Sequence, residues 1–80
     1  METARVLKSR DVCEVRRHAI TKLWQDIKRG VLTPPVKRGP RDNIWPATEI
    51  DQIIRAEIRG ASVSERQELC RQLVAKRKQV

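Results

Sequence analysis

A segment rich in proline in the middle of the chain constrains the fold more than any other feature. Between Gly30 and Trp45 the sequence reads VLTPPVKRGPRDNI, and its three prolines and one glycine are not tolerated inside an α-helix. Two short strands over 36–38 and 44–45, joined by a loop over 39–43, fit this composition. Because so small a hairpin is marginally stable alone, we expect helices to support it.

Two helices are predicted before this segment. A short one spans about 9–16, with Val12 and Val15 on its buried face. A second spans about 19–29 and carries apolar residues at the i, i+3, i+4, i+7 spacing of a buried helix face, namely Ile20, Leu23, Trp24 and Ile27. Gly30 follows Lys28 and Arg29, and cations in the last turn followed by a glycine are the usual end of a helix.

Two further helices are predicted after the segment. The first begins at Pro46 or Thr48, ends at Gly60, and carries an apolar stripe made of Ile50, Ile53, Ile54 and Ile58. The second begins at Ser62 or Ser64, because each of these serines has the spacing of a capping box, with Glu65 or Gln67 three positions later. Its narrow apolar seam is Leu69, Cys70, Leu73 and Val74. That seam either closes the core of the same chain or pairs with a second copy.

Composition limits both the core and the class of protein. The chain has 80 residues with no Phe, no Tyr and two Trp, so Trp24 and Trp45 are both expected in a thin core. No apolar run approaches the ~20 residues that a membrane span requires. Cys13 and Cys70 lie far apart and His18 is the only histidine, which disfavours a disulfide framework or a metal site.

Catalytic chemistry finds no support in the sequence. It contains no credible Ser/His/Asp or Cys/His set and no glycine-rich phosphate loop. We therefore expect a protein of the reducing cytoplasm that is not an enzyme, has no cofactor and does not associate with membranes.

Positive charge is concentrated in the first half of the chain. The formal net charge is +8, and residues 5–41 hold eleven Lys or Arg against three Asp or Glu, whereas residues 42–80 hold seven against six. A field of this kind attracts polyanions, because each neutralised phosphate releases condensed counterions. The distribution favours a nucleic-acid partner over an acidic protein partner, an acidic membrane or a solvated face without a role.

The predicted order of helix, turn, helix, basic hairpin and helix is that of small winged helix-turn-helix domains. Residues 7–58 resemble the AlpA family of phage-type regulators, whose pattern G-x-(F/L)-P-x-P-V-K-L-G precedes W-x-x-S-E-V-D-x-W-I. The matching positions are Gly30, Pro35, Val36, Lys37, Gly39, Trp45, Glu49, Asp51 and Ile54. The resemblance implies a mainly α-helical, MerR-like or excisionase-like winged helix-turn-helix domain over 1–60, followed by a C-terminal helix over 61–80.

The turn between the first two helices departs from the family pattern. Arg17 stands where the family has a glycine, His18 where it has an apolar residue, and Ala19 where it has a capping serine. Ile20 is expected to supply the missing apolar contact. Asp26 occupies the position of a leucine.

The resemblance also implies how such a domain meets double-stranded DNA. The helix over 19–29 would enter the major groove, and the basic wing over 36–45 would lie on the backbone or in the minor groove. Candidates for base contacts on the outward helix face are Thr21, Lys22 and Gln25. Candidates for phosphate contacts are Arg16, Arg17, Lys28, Arg29, Lys37, Arg38 and Arg41.

The function that follows is sequence-specific DNA binding by a transcriptional regulator of prophage or mobile-element type, cytoplasmic and nucleoid-associated. Because one such domain buries limited surface, we expect two or more copies to bind adjacent sites as a homo-oligomer. One alternative is an excisionase-like architectural factor that bends DNA for an integrase. Another, of a different class, is an adaptor whose basic face meets an acidic protein.

Overall fold

The computed structural model describes residues 5–79, and within them the chain is mainly helical with a small antiparallel sheet. The strands are β1 (Val6–Lys8), β2 (Val36–Gly39) and β3 (Asp42–Pro46). The helices are α1 (Ser9–Arg16), α2 (Ile20–Arg29), α3 (Ala47–Arg59) and α4 (Val63–Lys76), and a short 3-10 helix, Arg77–Gln79, follows α4. Residues 1–4 and 80, at the outer ends of the two predicted domain ranges, lie outside the described residues.

The proline-rich segment forms the predicted hairpin, with longer strands than expected. β2 and β3 pair antiparallel with Lys37 opposite Asn43, and a β-bulge lies between Lys37 and Gly39. The turn is shortened to two residues, Pro40 and Arg41, instead of the predicted loop over 39–43. An ion pair of 2.7 Å between the Arg38 guanidinium and the Asp42 carboxylate joins the two strands next to this turn.

A third strand, which the sequence pattern did not predict, makes β3 the central strand of the sheet. β1 pairs antiparallel with β3, with Leu7 opposite Trp45 and Lys8 opposite Ile44. Three residues are too few for an alternating pattern to be recognised, and the strand forms because the edge of β3 would otherwise be unpaired. As a consequence, the start of α1 lies beside the β2–β3 hairpin.

Trp45 is the centre of the core. Its side chain is completely buried, and its indole N–H donates a hydrogen bond of 2.8 Å to the carbonyl oxygen of Thr33. The other members of the buried cluster are Val12, Leu23, Leu32, Ile50, Ile53, Cys70 and Leu73. The last two belong to α4, which therefore packs in cis on the core that the other three helices share.

Several apolar residues that were predicted to face the core are exposed: Val15, Ile20, Trp24 and Ile58. Trp24 is 42% exposed because Trp45 already fills the space between the helices, and the ring of Trp24 packs on it with the centroids 6.4 Å apart. Ile58 is 80% exposed, because eight helical residues turn it about 80° away from Ile50. The prediction that Ile20 supplies the apolar contact missing from the turn is wrong, since this residue begins α2 and is half-exposed.

The helix boundaries follow their local signals closely. α4 begins at the first of the two predicted caps: the Ser62 hydroxyl accepts a hydrogen bond from the Glu65 backbone N–H, and the Glu65 carboxylate accepts one from the Ser62 N–H. These hydrogen bonds lower the pKa of Glu65. α3 begins one residue after Pro46, which is its N-cap rather than its first helical residue. α2 and α3 both end at a glycine in the left-handed conformation.

The turn between α1 and α2 places an arginine in a conformation that favours glycine. Arg17 has φ 57° and ψ 42°, and it is the only non-glycine residue with positive φ in the described part of the chain. The N–H of His18 donates to the carbonyl of Cys13 at 3.0 Å, which closes the end of α1. The left-handed conformation costs an L-residue roughly 1–2 kcal/mol relative to the right-handed one.

Replacing Arg17 with glycine is therefore expected to raise the free energy of unfolding by roughly 0.5–1 kcal/mol, because relief of this strain exceeds the entropy cost of glycine. Urea denaturation followed by tryptophan fluorescence measures it. Gly60→Ala is the matched control, since Gly60 has φ +81° and an added Cβ would meet no atom within 4 Å. This control should lose about 1 kcal/mol from conformational strain alone. An Arg17→Gly variant that is no more stable than the original chain would contradict the assignment of strain to Arg17.

Candidate functional site

The exposed side of α2 carries long polar side chains that have no partner in the protein. Its members are Thr21, Gln25, Lys28 and Arg29, all of them exposed. At 100° per residue they fall within an arc of about 100° opposite the buried Leu23. Within residues 5–79, none of these four side chains makes an ion pair or a side-chain hydrogen bond. We call this surface the α2 face.

Lys22 lies at the edge of the α2 face and is partly occupied. Its ammonium is 3.1 Å from a carboxylate oxygen of Asp26, and its side chain is 43% exposed. Of the three residues predicted to contact bases, Thr21 and Gln25 thus lie in the middle of the face, and Lys22 is drawn toward the protein.

Asp26, which stands where the family pattern has a leucine, is buried in an ion cluster below the α2 face. Arg16 Nη2 lies 3.1 Å from Asp26 Oδ2 and 3.1 Å from Glu57 Oε2, and the side chains of Arg16 and Asp26 are each only 3% exposed. Arg66 approaches Glu57 at 3.6 Å. The cluster therefore joins α1, α2, α3 and α4 through two arginines and two carboxylates.

This burial changes the predicted role of Arg16. It was a candidate for phosphate contacts, but its guanidinium is enclosed and ion-paired, so the structure gives it a role in fixing helix positions. The reason is geometric, because Arg16 ends α1 within reach of Asp26 on α2 and Glu57 on α3. The neighbouring Arg17, by contrast, is exposed and makes no ion pair within the described residues. His18 Nδ1 lies 3.9 Å from Asp26 Oδ2 at the border of the cluster.

A second, partly buried ion pair holds the 3-10 helix that follows α4. Glu49, on α3, receives two hydrogen bonds from the Arg77 guanidinium, of 2.7 and 2.8 Å. Arg77 also donates to the carbonyl of Pro34 at 2.8 Å. Burial raises the pKa of the nearby Cys70 thiol, and the Glu49 carboxylate adds to that shift. The sequence analysis did not foresee this pair, because charge alone does not reveal which side chains meet over 28 positions.

The hairpin carries the remaining predicted site residues at its surface. Lys37 and Arg41 are exposed, and within residues 5–79 neither makes an ion pair. Arg38 is also exposed, but the Asp42 carboxylate partly neutralises it. The structure thus brings Arg38 and Arg41 together at the hairpin turn.

A polar cleft of about 460 Å³ separates the hairpin turn from the start of α1. Its lining residues are Lys8, Ser9, Arg10, Asp11, Arg41, Asp42 and Asn43. Of these, the sequence analysis named only Arg41 as a site residue. The missing signal was the pairing of Lys8 with Ile44, which brings together two segments that are far apart in the sequence. We call this feature the turn cleft.

Two negative findings apply to the described part of the chain. No helix in residues 5–79 combines the length and the apolarity that crossing a membrane requires. Among the same residues, no group of three or more His, Cys, Asp or Glu side chains is arranged to hold a metal ion.

Replacing Asp26 with asparagine is expected to lower the free energy of unfolding by about 2–3 kcal/mol, because the buried Arg16 guanidinium would lose one of its two carboxylates. Chemical denaturation measures the change. Asp51→Asn is the matched control: Asp51 forms an exposed pair of 2.9 Å with Arg55, and its loss should cost less than about 0.5 kcal/mol. Equal effects of the two substitutions would contradict the structural importance of the buried cluster.

The comparisons with known proteins identify no relative. No family model matches the chain, and neither a curated protein nor a solved structure matches it. The likeness to the AlpA pattern therefore depends only on the residues named for it above. What the protein does has to be argued from the α2 face, the hairpin and the turn cleft.

Proposed function

We propose that the protein is a sequence-specific, double-stranded DNA-binding transcriptional regulator of winged helix-turn-helix type. In this proposal α2 is the helix that enters the major groove, and the β2–β3 hairpin is the wing. The observation that carries the proposal is the α2 face, a set of exposed polar and cationic side chains without partners in the described protein. It belongs to the half of the chain that carries nearly all the net positive charge.

The chemistry of the α2 face suits a major groove. An α-helix fits the width of that groove, and a glutamine amide can both donate to and accept from the edge of an adenine. Gln25 lies in the middle of the face, where it would meet base edges, and Thr21 lies beside it, with a methyl group suited to thymine. Lys28 and Arg29 lie toward the two sides of the arc and would reach the phosphates that border the groove.

The pairing of Lys22 with Asp26 favours a different role for Lys22 than the base contact predicted from the sequence. Its ammonium is held 3.1 Å from Asp26 at the edge of the α2 face. From there it is better placed for a backbone phosphate than for a base, and we assign it to that contact. Arg17, exposed at the turn before α2, would reach a phosphate of the same strand.

The wing supplies the second set of contacts. Lys37, Arg38 and Arg41 are exposed on the hairpin, and cations in such a position bind phosphates or enter the minor groove. Together with Arg17 and the cations of α2, these contacts would dominate the affinity. Two of these seven cations, Lys22 and Arg38, already have a carboxylate partner. About five phosphate contacts from the others correspond to a slope of roughly −4 to −5 for the logarithm of affinity against the logarithm of salt concentration.

Enrichment of random duplexes would identify the preferred site, and fluorescence anisotropy on labelled duplexes would measure affinity. Gln25→Ala is expected to weaken binding to the selected duplex by about 10- to 100-fold with little effect on unrelated duplexes, since it removes a base contact. Lys28→Ala should weaken binding to the selected and to the unrelated duplexes alike. It should also make the slope of log affinity against log salt concentration less steep by about one.

The matched control is Arg55→Ala, which removes the same charge from an exposed position on α3 and should leave binding within about twofold. If Gln25→Ala leaves selectivity unchanged, α2 is not the reading helix. If the chain binds no duplex but captures an acidic protein, the adaptor alternative is correct. Nuclease footprints that show several phased sites and a strong bend in the DNA would favour the excisionase-like role over the regulator. That role uses the same residues of the protein to contact DNA.

A further inference from the structure

The turn cleft combines two parts of the chain that the sequence separates. Lys8 lies at the end of β1, Ser9 and Arg10 lie at the start of α1, and Arg41 and Asn43 approach from the hairpin. The antiparallel pairing of β1 with β3 fixes the distance between the two sides, because Lys8 is opposite Ile44. The cleft is therefore part of the folded framework, with one wall on a helix and the other on the sheet.

Both carboxylates in the turn cleft already have partners. A carboxylate oxygen of Asp11 accepts a hydrogen bond of 3.0 Å from the backbone N–H of Lys8. Asp42 is bound by Arg38 at 2.7 Å, and the Lys8 ammonium is 3.9 Å from its other oxygen. Each of the two carboxylates thus has a hydrogen-bond or ion-pair partner in the protein itself.

The two arginines of the turn cleft have no such partners. Arg10 and Arg41 are both exposed, and within residues 5–79 neither guanidinium makes an ion pair or a hydrogen bond. The lining holds three cations, Lys8, Arg10 and Arg41, against two carboxylates, so the two unpaired guanidinium groups give the cleft a net positive charge. The Asn43 amide and the Ser9 hydroxyl add neutral hydrogen-bond donors at its wall.

We propose that the turn cleft binds one phosphodiester group of the DNA backbone, held between Arg10 and Arg41. This inference rests on the proposed function, and it adds the start of α1 to a binding surface otherwise made of α2 and the wing. Guanidinium groups bind phosphate oxygens through paired, charge-assisted hydrogen bonds, which suits a site with an arginine on each side. The bound phosphate would bridge α1 and the wing and so hold the wing in place on the duplex.

The duplex experiment compares Arg10→Ala, Arg41→Ala and the double variant in the full chain, with Arg55→Ala as the control for loss of one charge. Each single variant is expected to weaken binding about five- to tenfold and to flatten the salt slope. The double variant should be only slightly weaker than the worse single variant, because both arginines hold the same phosphate. Losses that simply multiply, or losses no larger than that of Arg55→Ala, would overturn the shared site.

A titration with inorganic phosphate separates this inference from the proposed function. In ¹H–¹⁵N spectra at constant ionic strength, phosphate but not chloride should shift the backbone amides of 9–11 and 41–43, and the double variant should lose these shifts. Shifts spread equally over the cations of α4 would overturn the site. If duplex binding depends on Gln25 but is unaffected by the double substitution, the phosphate site in the turn cleft is overturned and the proposed DNA-binding function stands. A chain that shows the phosphate shifts but binds no duplex overturns the assignment to DNA.

Discussion

The buried contact of Arg16 with Asp26 and Glu57 fixes the orientation of α2, and the proposed function depends on that orientation. Removing these charges from water costs several kcal/mol per ion, which only close pairing in a single geometry repays. With both oxygens 3.1 Å from Arg16 Nη2, a rotation of α2 would break the contact and leave charges buried without partners. The same constraint keeps Gln25 and Lys28 turned toward solvent. The buried Asp26 thus determines which side chains of α2 are exposed to solvent.

β3 has the corresponding role for the hairpin. It pairs with β2 on one side and with β1 on the other, and its Trp45 is the largest side chain of the core. Because Trp45 contacts Trp24 on α2 and its indole is hydrogen-bonded to Thr33, the sheet and α2 cannot shift independently. The hairpin, the start of α1 and the α2 face are therefore parts of one framework, which the proposed contact with a rigid duplex at several points requires.

Local signals in the sequence predicted most of the secondary structure. The prolines predicted the hairpin, Gly30 and Gly60 the ends of two helices, and Ser62 the start of α4, because each of these residues acts through its own backbone or its nearest neighbours. The strand β1 was not predictable, since its three residues form a strand only by pairing with β3. Trp24 was expected in the core and lies at its border, where its ring packs on the fully buried Trp45.

The candidate site was predictable to the extent that it lies on one helix. Helical periodicity placed Thr21, Lys22 and Gln25 on the outward side of α2. The structure exposes Thr21 and Gln25 there and draws Lys22 toward Asp26. The burial of Arg16 was not predictable, because its partner Glu57 is 41 positions away, and the same holds for the turn cleft. A formal charge in a sequence does not reveal whether the group is paired inside the fold or available to a ligand.

The most direct test of the account is a map of the surface that duplex DNA contacts, obtained by adding the selected duplex to ¹⁵N-labelled protein and following the backbone amide signals. The account predicts that the largest changes lie on the exposed side of α2, at the hairpin turn and at the start of α1, and that the solvent-exposed sides of α3 and α4 are unaffected. Changes confined to α3 and α4, or no changes at a duplex concentration that saturates known DNA-binding domains of similar size, would contradict it.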